Sequence, residues 1–185
     1  MFLHFIIVNI LVIKKKGNPD FINHLKNMSK KYNELDLVND FIEVYEKAFE
    51  DIKKLINNSL NYLVCVIPRS KIEKSYNQSQ LLFKKAISCI VDNLGLENGT
   101  NIIHRIKNTK TTHDWRLENN TGKTPYKGIT LDTCEINKNR IKDKNIILVD
   151  DIYTPNVNVA EDCIQTLFDL GAKDVILYVI AKTRG

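Results

Sequence analysis

Two adjacent acids, Asp150 and Asp151, follow the apolar run 146–149 and precede a segment of hydroxyl and amide side chains, 154–158. Open α/β folds bind ligands at the carboxyl ends of their parallel strands, which is where such acids would lie. A carboxylate pair can accept hydrogen bonds from vicinal sugar hydroxyls or hold Mg²⁺ through water. The segment 154–158 leads into a predicted helix, whose first N–H groups and positive dipole end favour a phosphate. The spacing therefore predicts a sugar phosphate site.

The elements that must position these acids follow from the hydrophobic pattern. Short apolar runs predict strands at 62–67, 101–104, 145–149 and 175–180. Helical spacing predicts one or two helices within 21–60, a helix over 75–94 and a helix over 160–168 that stops at Gly171. The last strand, helix and strand form a right-handed βαβ unit, and the alternation predicts an α/β fold with a mainly parallel sheet flanked by helices. Residues 1–60 are expected to form an N-terminal strand and helical extension, and residues 61–185 the main domain.

Composition indicates an ordinary globular chain. Its 185 residues are 43% hydrophobic, enough for one domain with a core, and the net charge of +5 is compatible with anionic ligands. The apolar run 1–13 is too short to cross a bilayer, which needs roughly 20 residues, so we expect a buried strand or irregular start, no membrane association and a cytoplasmic location. Widely spaced thiols without metal-ligand spacing are expected to be reduced and mostly buried. They are Cys65, Cys89, Cys134 and Cys163.

The segment 146–158 resembles the fingerprint of the type I phosphoribosyltransferases, which has four apolar residues, two acids, two apolar residues and a phosphate loop rich in Thr, Ser and Gly. The resemblance implies that fold, and it implies that Asp150 and Asp151 hold the ribose hydroxyls of phosphoribosyl pyrophosphate. The same acids would hold Mg²⁺ through water or through the ligand. The loop that would wrap the 5′-phosphate consists of Tyr153, Thr154, Pro155, Asn156, Val157 and Asn158. A helix N-cap with a solvated acid is the simpler interpretation, but the surrounding fingerprint favours the ligand.

A second resemblance points to the ComF-like, amidophosphoribosyltransferase-like branch of that family. In this branch a strand ends in a proline-containing turn, and a basic residue, Gly, an aromatic, Asn and Gln follow. The chain has Pro68 and Arg69 after its strand, and then the segment 74–78 with the sequence Lys-Ser-Tyr-Asn-Gln. The resemblance implies that Arg69 acts in catalysis and that Ser70 and Lys71 bind the diphosphate. Tyr76 is interpreted as a packing aromatic.

The long polar tract 105–127 is predicted to be a functional loop or lid, because structureless tracts of that length are uncommon inside compact domains. Its candidate ligand contacts, by the same resemblance, are Arg105, His113 and Arg116.

Two functions stay open. The first is an enzyme of the glycosyltransferase class that transfers a phosphoribosyl group from phosphoribosyl pyrophosphate, or from a nucleotide, to an unidentified acceptor. The second is a non-catalytic ComF-like module that acts in DNA uptake or processing, with single-stranded DNA as partner, or as a nucleotide sensor. The loop has Thr154, Pro155 and Asn156 in place of the common Thr-Thr-Gly. This altered loop and the basic net charge are both compatible with the module. Family members often dimerise, so the resemblance also allows a homodimer.

Overall fold

The computed structural model describes residues 7–8, 11–12, 34–57, 60–110, 129–155 and 157–183. Its elements in chain order are β1 (Ile7–Val8), β2 (Leu11–Val12), α1 (Glu34–Leu55), β3 (Tyr62–Val66), α2 (Leu82–Asn93), β4 (Glu97–Asn98), β5 (Ile103–Arg105), β6 (Cys134–Ile136), α3 (Lys138–Ile141), β7 (Asn145–Tyr153), α4 (Val159–Asp169) and β8 (Asp174–Lys182). Two 3₁₀ turns, Glu73–Ser75 and Ser79–Leu81, lie between β3 and α2.

The main sheet is parallel throughout the described strands. Its central order is β8, β7, β3 and β4, and the short strands β1 and β2 both pair with β8 at the other edge. Strands β5 and β6 form a separate antiparallel pair. Because all five side chains of β3 are buried, its continuous apolar run is typical of a strand covered on both faces. The predicted α/β class, with a parallel sheet flanked by helices, is confirmed.

Helices cover both faces of the sheet. Val64 and Val66 of β3 pack on one side with buried residues of α1 and α2, whereas Leu63 and Cys65 pack on the other side with buried residues of α4. Burial of each large apolar side chain contributes about 1.5–3 kcal/mol to stability. The two layers therefore hold the central strands, and with them the carboxyl edge of the sheet, in a fixed position.

A buried polar contact joins α1 to the sheet. The Tyr178 hydroxyl donates a 3.1 Å hydrogen bond to Asp51 Oδ2, and Lys47 Nζ lies 2.6 Å from the same oxygen. Burial and the charge of Asp51 raise the pKa of Tyr178, so the hydroxyl stays a donor. Since an unpartnered buried carboxylate is strongly unfavourable, these contacts fix where α1 packs.

Several element boundaries differ from the predicted ones. Strand β7 extends to Tyr153, so the two acids lie inside the strand and not after it. The α-helix predicted from residue 75 begins at Leu82, because the two 3₁₀ turns precede it. The short elements β4, β6 and α3 were not predicted. The helix α4 ends before Gly171, whose φ of 92° is the left-handed conformation that terminates helices.

All four cysteines are free thiols, and Cys65, Cys134 and Cys163 are buried, as predicted. Among the described residues, no helix combines the length and the apolar character that crossing a membrane requires.

Candidate functional site at the carboxyl edge of the sheet

The two acids stand near the carboxyl end of the central strand β7. Asp150 is in register with Val179 of β8, and Val149 is in register with Val66 of β3. The backbone N–H of Ile67 donates a 2.9 Å hydrogen bond to the Val149 carbonyl. The chain leaving β3 therefore passes directly beside the acids.

The pKa of the Asp150 carboxyl is raised by some of its neighbours and lowered by others. Burial raises its pKa well above the usual range, and the charge of Asp151 with a hydrogen bond to that side chain raises it further. A 2.9 Å hydrogen bond from the Asp151 N–H to Asp150 Oδ1 and the positive charge of Arg69 act in the opposite direction. Hydroxyl donors or a cation bound at this pair would favour its ionised form.

Arg69 is held in place by both its side chain and its backbone. Its guanidinium carbon lies 5.3 Å from the centroid of the Tyr76 ring, and Nη1 donates a 3.3 Å hydrogen bond to the Gln80 carbonyl. Its own carbonyl accepts a 3.0 Å hydrogen bond from Arg105 Nε. These contacts hold Arg69 in the loop after β3, from where its positive charge lowers the pKa of Asp150.

The turn that supports Arg69 has its own polar contacts. Asn77 and Gln80 exchange two hydrogen bonds of 3.0 Å, each from a backbone N–H to the other residue's side-chain oxygen. The Tyr76 hydroxyl accepts a 2.8 Å hydrogen bond from the Lys71 N–H. Tyr76 thus contacts two of the predicted ligand-binding residues, one through its ring and one through its hydroxyl.

The loop after β3 is joined to the segment after β5. The Thr109 N–H donates a 2.7 Å hydrogen bond to the Ser70 carbonyl, and Lys71 Nζ donates a 2.9 Å hydrogen bond to the Thr109 carbonyl. Asn108 Oδ1 accepts from the Ile72 N–H at 2.9 Å. Burial lowers the pKa of Lys71. Ser70 and Lys71 therefore stand in a loop whose conformation is fixed from both sides.

Arg105 lies in β5 and is 8% exposed, with its Nε bound to the Arg69 carbonyl. The structure thus places this first residue of the polar tract in a strand, joined to the loop after β3, and its predicted role in a lid stays a prediction. Burial, the largest influence, lowers the pKa of its guanidinium. His113 and Arg116 lie outside the described residues.

The predicted phosphate loop connects β7 to α4. The Thr154 hydroxyl oxygen is buried and has no hydrogen-bond partner within the described part of the chain. Asn158 takes the left-handed conformation, with φ of 56°, and its carbonyl accepts the first helical bond, 2.8 Å from the Asp162 N–H. The N–H groups of the first turn of a helix have no partner inside the helix, so they are available to an anion. Pro155 and Val157 complete the described loop, and Asn156 lies outside the described residues.

A hydrogen bond between two side chains joins the end of β7 to the start of α4, on either side of this loop. The Tyr153 hydroxyl donates a 2.6 Å hydrogen bond to Glu161 Oε1 in the first turn of α4. Burial, this hydrogen bond and the charge of Glu161 raise the pKa of Tyr153 to about 12.

No functional role was predicted for Tyr76, Gln80 or Glu161. The spacing from Asn158 to Glu161 is that of a capping box, but Asn158 makes no side-chain cap bond, so the spacing was not a useful signal. For Gln80, whose carbonyl contacts Arg69, the sequence contains no signal.

A magnesium site made by the protein alone is absent from the described residues, which contain no group of three or more His, Cys, Asp or Glu side chains placed to hold a metal. The oxygens of Asp150 and Asp151 are nevertheless of the type that Mg²⁺ prefers, and Mg²⁺ is commonly bound by one or two carboxylates together with substrate phosphates. The pair therefore fits an ion that arrives with a phosphorylated ligand.

No protein-family model matches this chain, and no curated protein matches it significantly. A functional assignment therefore depends on the site itself.

Proposed function

We propose that this chain is a type I phosphoribosyltransferase-like protein. It would bind phosphoribosyl pyrophosphate, or a nucleotide, with Mg²⁺ at the carboxyl edge of its parallel sheet. The observation that carries the proposal is the Asp150–Asp151 pair in β7, with the Arg69 cation beside it and a helix-initiating loop immediately after it.

The acids are suited to the sugar. Two neighbouring carboxyls can accept hydrogen bonds from the vicinal 2′- and 3′-hydroxyls of ribose, and such bonds would favour the ionised form that burial of Asp150 opposes. Ligand binding would then add donors to the one that the Asp151 N–H already supplies.

The loop 154–158 is suited to the 5′-phosphate. Thr154 has a buried hydroxyl that lacks a partner among the described residues, and Asn158 turns the chain into α4 through a left-handed conformation. The hydroxyl can donate to a phosphate oxygen, and the first N–H groups of α4 add further donors.

The diphosphate would lie against the loop after β3. Arg69 supplies a guanidinium whose planar donors match phosphate oxygens, and Lys71 supplies an ammonium. Asp150 and Asp151 would hold Mg²⁺, which supplies charge stabilisation of the departing pyrophosphate. In the transfer, the bond from the anomeric carbon to the pyrophosphate oxygen breaks, and pyrophosphate leaves with the electron pair. The acceptor forms its bond to the same carbon and loses a proton.

A binding module without transfer is the second candidate. Pro155 lacks the N–H donor that other residues would offer at that position, and Glu161 and Asp162 add negative charge to the first turn of α4. Both features weaken the 5′-phosphate site on which transfer depends, and they are compatible with a protein that binds a nucleotide or single-stranded DNA without turnover.

Pyrophosphate release distinguishes the two candidates. The chain is incubated with phosphoribosyl pyrophosphate, Mg²⁺ and a panel of nucleobases and ammonia, beside a salt-dependent assay of single-stranded DNA binding. The enzyme predicts acceptor-dependent release that Asp150→Asn abolishes. Binding of phosphoribosyl pyrophosphate or DNA without release would favour the module, and no binding of phosphoribosyl pyrophosphate would refute the proposal.

A further inference from the structure

Three residues hold Tyr153, the last residue of β7: Glu161, Thr183 and Lys182. Its hydroxyl donates to Glu161 Oε1 of α4 at 2.6 Å, and its carbonyl accepts a 2.9 Å hydrogen bond from the Thr183 N–H. Lys182 of β8 places its Nζ 5.7 Å from the centroid of the Tyr153 ring. Tyr153 is therefore contacted at its ring, at its hydroxyl and at its backbone carbonyl.

The residues joined by this hydroxyl bond bracket the loop 154–158. Tyr153 ends the strand on one side, and Glu161 lies in the first turn of the helix on the other. The loop contains Pro155 and no glycine, and the Asn158 side chain makes no capping bond to the helix. The Tyr153–Glu161 bond thus connects the two ends of a loop whose last residue does not cap the helix.

This bond is of the strong kind. A hydroxyl that donates to a carboxylate at 2.6 Å is a charge-assisted hydrogen bond, which is shorter and stronger than a neutral one.

The negative charge of Glu161 by itself opposes the binding of an anion at this place, although it favours the helix. A carboxylate in the first turn of α4 repels an anion that approaches the same helix end, whereas the hydrogen bond to Tyr153 fixes the loop that would receive the anion. The two effects of Glu161 on phosphate affinity therefore have opposite signs, and substitutions can separate them.

We propose that Tyr153 and Glu161 are positioning residues, whose hydrogen bond braces the loop 154–158 in the conformation that accepts a 5′-phosphate. The inference rests on the proposed function, since it names the support of the same phosphate site.

Amide hydrogen exchange tests the brace without a ligand. Tyr153→Phe and Glu161→Ala remove the bond, whereas Glu161→Gln keeps an acceptor oxygen, and Gln165→Ala on the exposed side of α4 is the matched control. We expect exchange in the peptide covering 153–162 to be faster in the first two variants than in the wild type, Glu161→Gln and the control. Unchanged exchange in both Tyr153→Phe and Glu161→Ala would overturn the brace.

Calorimetry with two probes then tests its purpose. Ribose 5-phosphate reports on the loop 154–158, and inorganic pyrophosphate with Mg²⁺ reports on the loop after β3. Tyr153→Phe should bind ribose 5-phosphate about tenfold more weakly than the wild type, as expected for loss of a hydrogen bond to a charged group, and should bind pyrophosphate unchanged. Glu161→Gln should bind ribose 5-phosphate as tightly as the wild type or about two- to fivefold more tightly, because it keeps the acceptor and removes the repulsive charge.

The outcomes separate the two proposals. An equal loss of both probes in Tyr153→Phe would indicate general destabilisation and overturn the positioning role. If the wild type binds neither ribose 5-phosphate nor phosphoribosyl pyrophosphate, the proposed function fails, and the exchange experiment still decides whether the brace fixes the loop.

Discussion

The backbone N–H of Asp151 donates a 2.9 Å hydrogen bond to Oδ1 of Asp150, which orients the Asp150 carboxyl near the carboxyl end of β7. Burial and the charge of Asp151 keep the pKa of Asp150 well above the range of an exposed aspartate. A carboxyl in this environment destabilises the folded protein when it ionises. Such an arrangement is expected where a site is organised for a ligand that supplies further donors or a cation.

Asp150→Asn should stabilise the protein in the absence of ligand. Because the folded state holds the Asp150 proton to higher pH than the unfolded state, the wild-type free energy of unfolding should fall as pH rises from the ordinary aspartate range to the raised pKa. Each unit of pKa difference corresponds to about 1.4 kcal/mol. The amide keeps the oxygen that accepts from Asp151 and removes the titration, so the fall should disappear. Denaturant unfolding between pH 4 and 8, roughly the range in which a shifted aspartate titrates, measures the effect.

The matched control is Asp132→Asn, which neutralises an exposed aspartate and should keep the fall in stability that Asp150 causes. If Asp150→Asn is less stable than the wild type at pH 7, the pKa of Asp150 is not raised in the folded protein as described.

The strands that form the site, and the two acids in it, could be predicted from the sequence. The apolar runs of β3, β7 and β8 are buried on both faces, and such strands are recognisable because their hydrophobic residues are continuous. The acids were found because they interrupt one of these runs. Their position inside β7 was not predicted, since the last residues of that strand are held by pairing of Ile152 and Tyr153 with β8, a contact distant in sequence.

Other features were not predictable because they depend on tertiary contacts. The strands β4 and β6 have two and three residues, too few to show a periodicity. Arg105 stands at the start of a polar tract, so the sequence suggests exposure. It is buried in the fold, where its Nε binds the Arg69 carbonyl, 36 residues away in the chain. The hydrogen bond from Tyr153 to Glu161 spans eight residues through a turn, and no local rule indicates it.

Tyr76 should support Arg69 through its ring and not through its hydroxyl. Tyr76→Leu removes the aromatic face that lies 5.3 Å from the guanidinium, whereas Tyr76→Phe keeps it and removes the acceptor of the Lys71 N–H. We expect Tyr76→Leu to weaken pyrophosphate binding by about 0.5–1 kcal/mol more than Tyr76→Phe does, the size of an exposed cation–π contact.

Calorimetry with pyrophosphate and Mg²⁺ measures this difference, and Arg69→Met sets the size of the full loss. Equal affinities of the two Tyr76 variants would show that the ring does not hold the guanidinium. Lys85→Met, which removes an exposed charge from α2, is the control for general electrostatics.

Gly99→Ala should destabilise the fold because β4 approaches β3 closely at this point. An added Cβ would lie 2.8 Å from the Val64 carbonyl oxygen and 2.7 Å from Leu63 Cδ1, and the backbone oxygen has no room to move away within the paired sheet. Overpacking of this kind typically destabilises by about 1–3 kcal/mol.

Gly95→Ala provides the comparison, since its Cβ would meet nothing within 4 Å and its penalty is limited to the left-handed backbone, with φ of 65°. That conformation costs a non-glycine residue about 1–2 kcal/mol. Chemical denaturation should therefore show both variants to be less stable than the wild type, and wild-type stability of Gly99→Ala would contradict the packing of β4 against β3.

We propose that Asp150 and Asp151 hold the ribose of a phosphoribosyl ligand. Isothermal titration of phosphoribosyl pyrophosphate with Mg²⁺ into the wild type and into the double variant Asp150→Asn with Asp151→Asn tests this role, with the folding of both proteins checked by thermal unfolding. We expect measurable binding to the wild type and none to the folded double variant. Binding of equal affinity to the two proteins would contradict it.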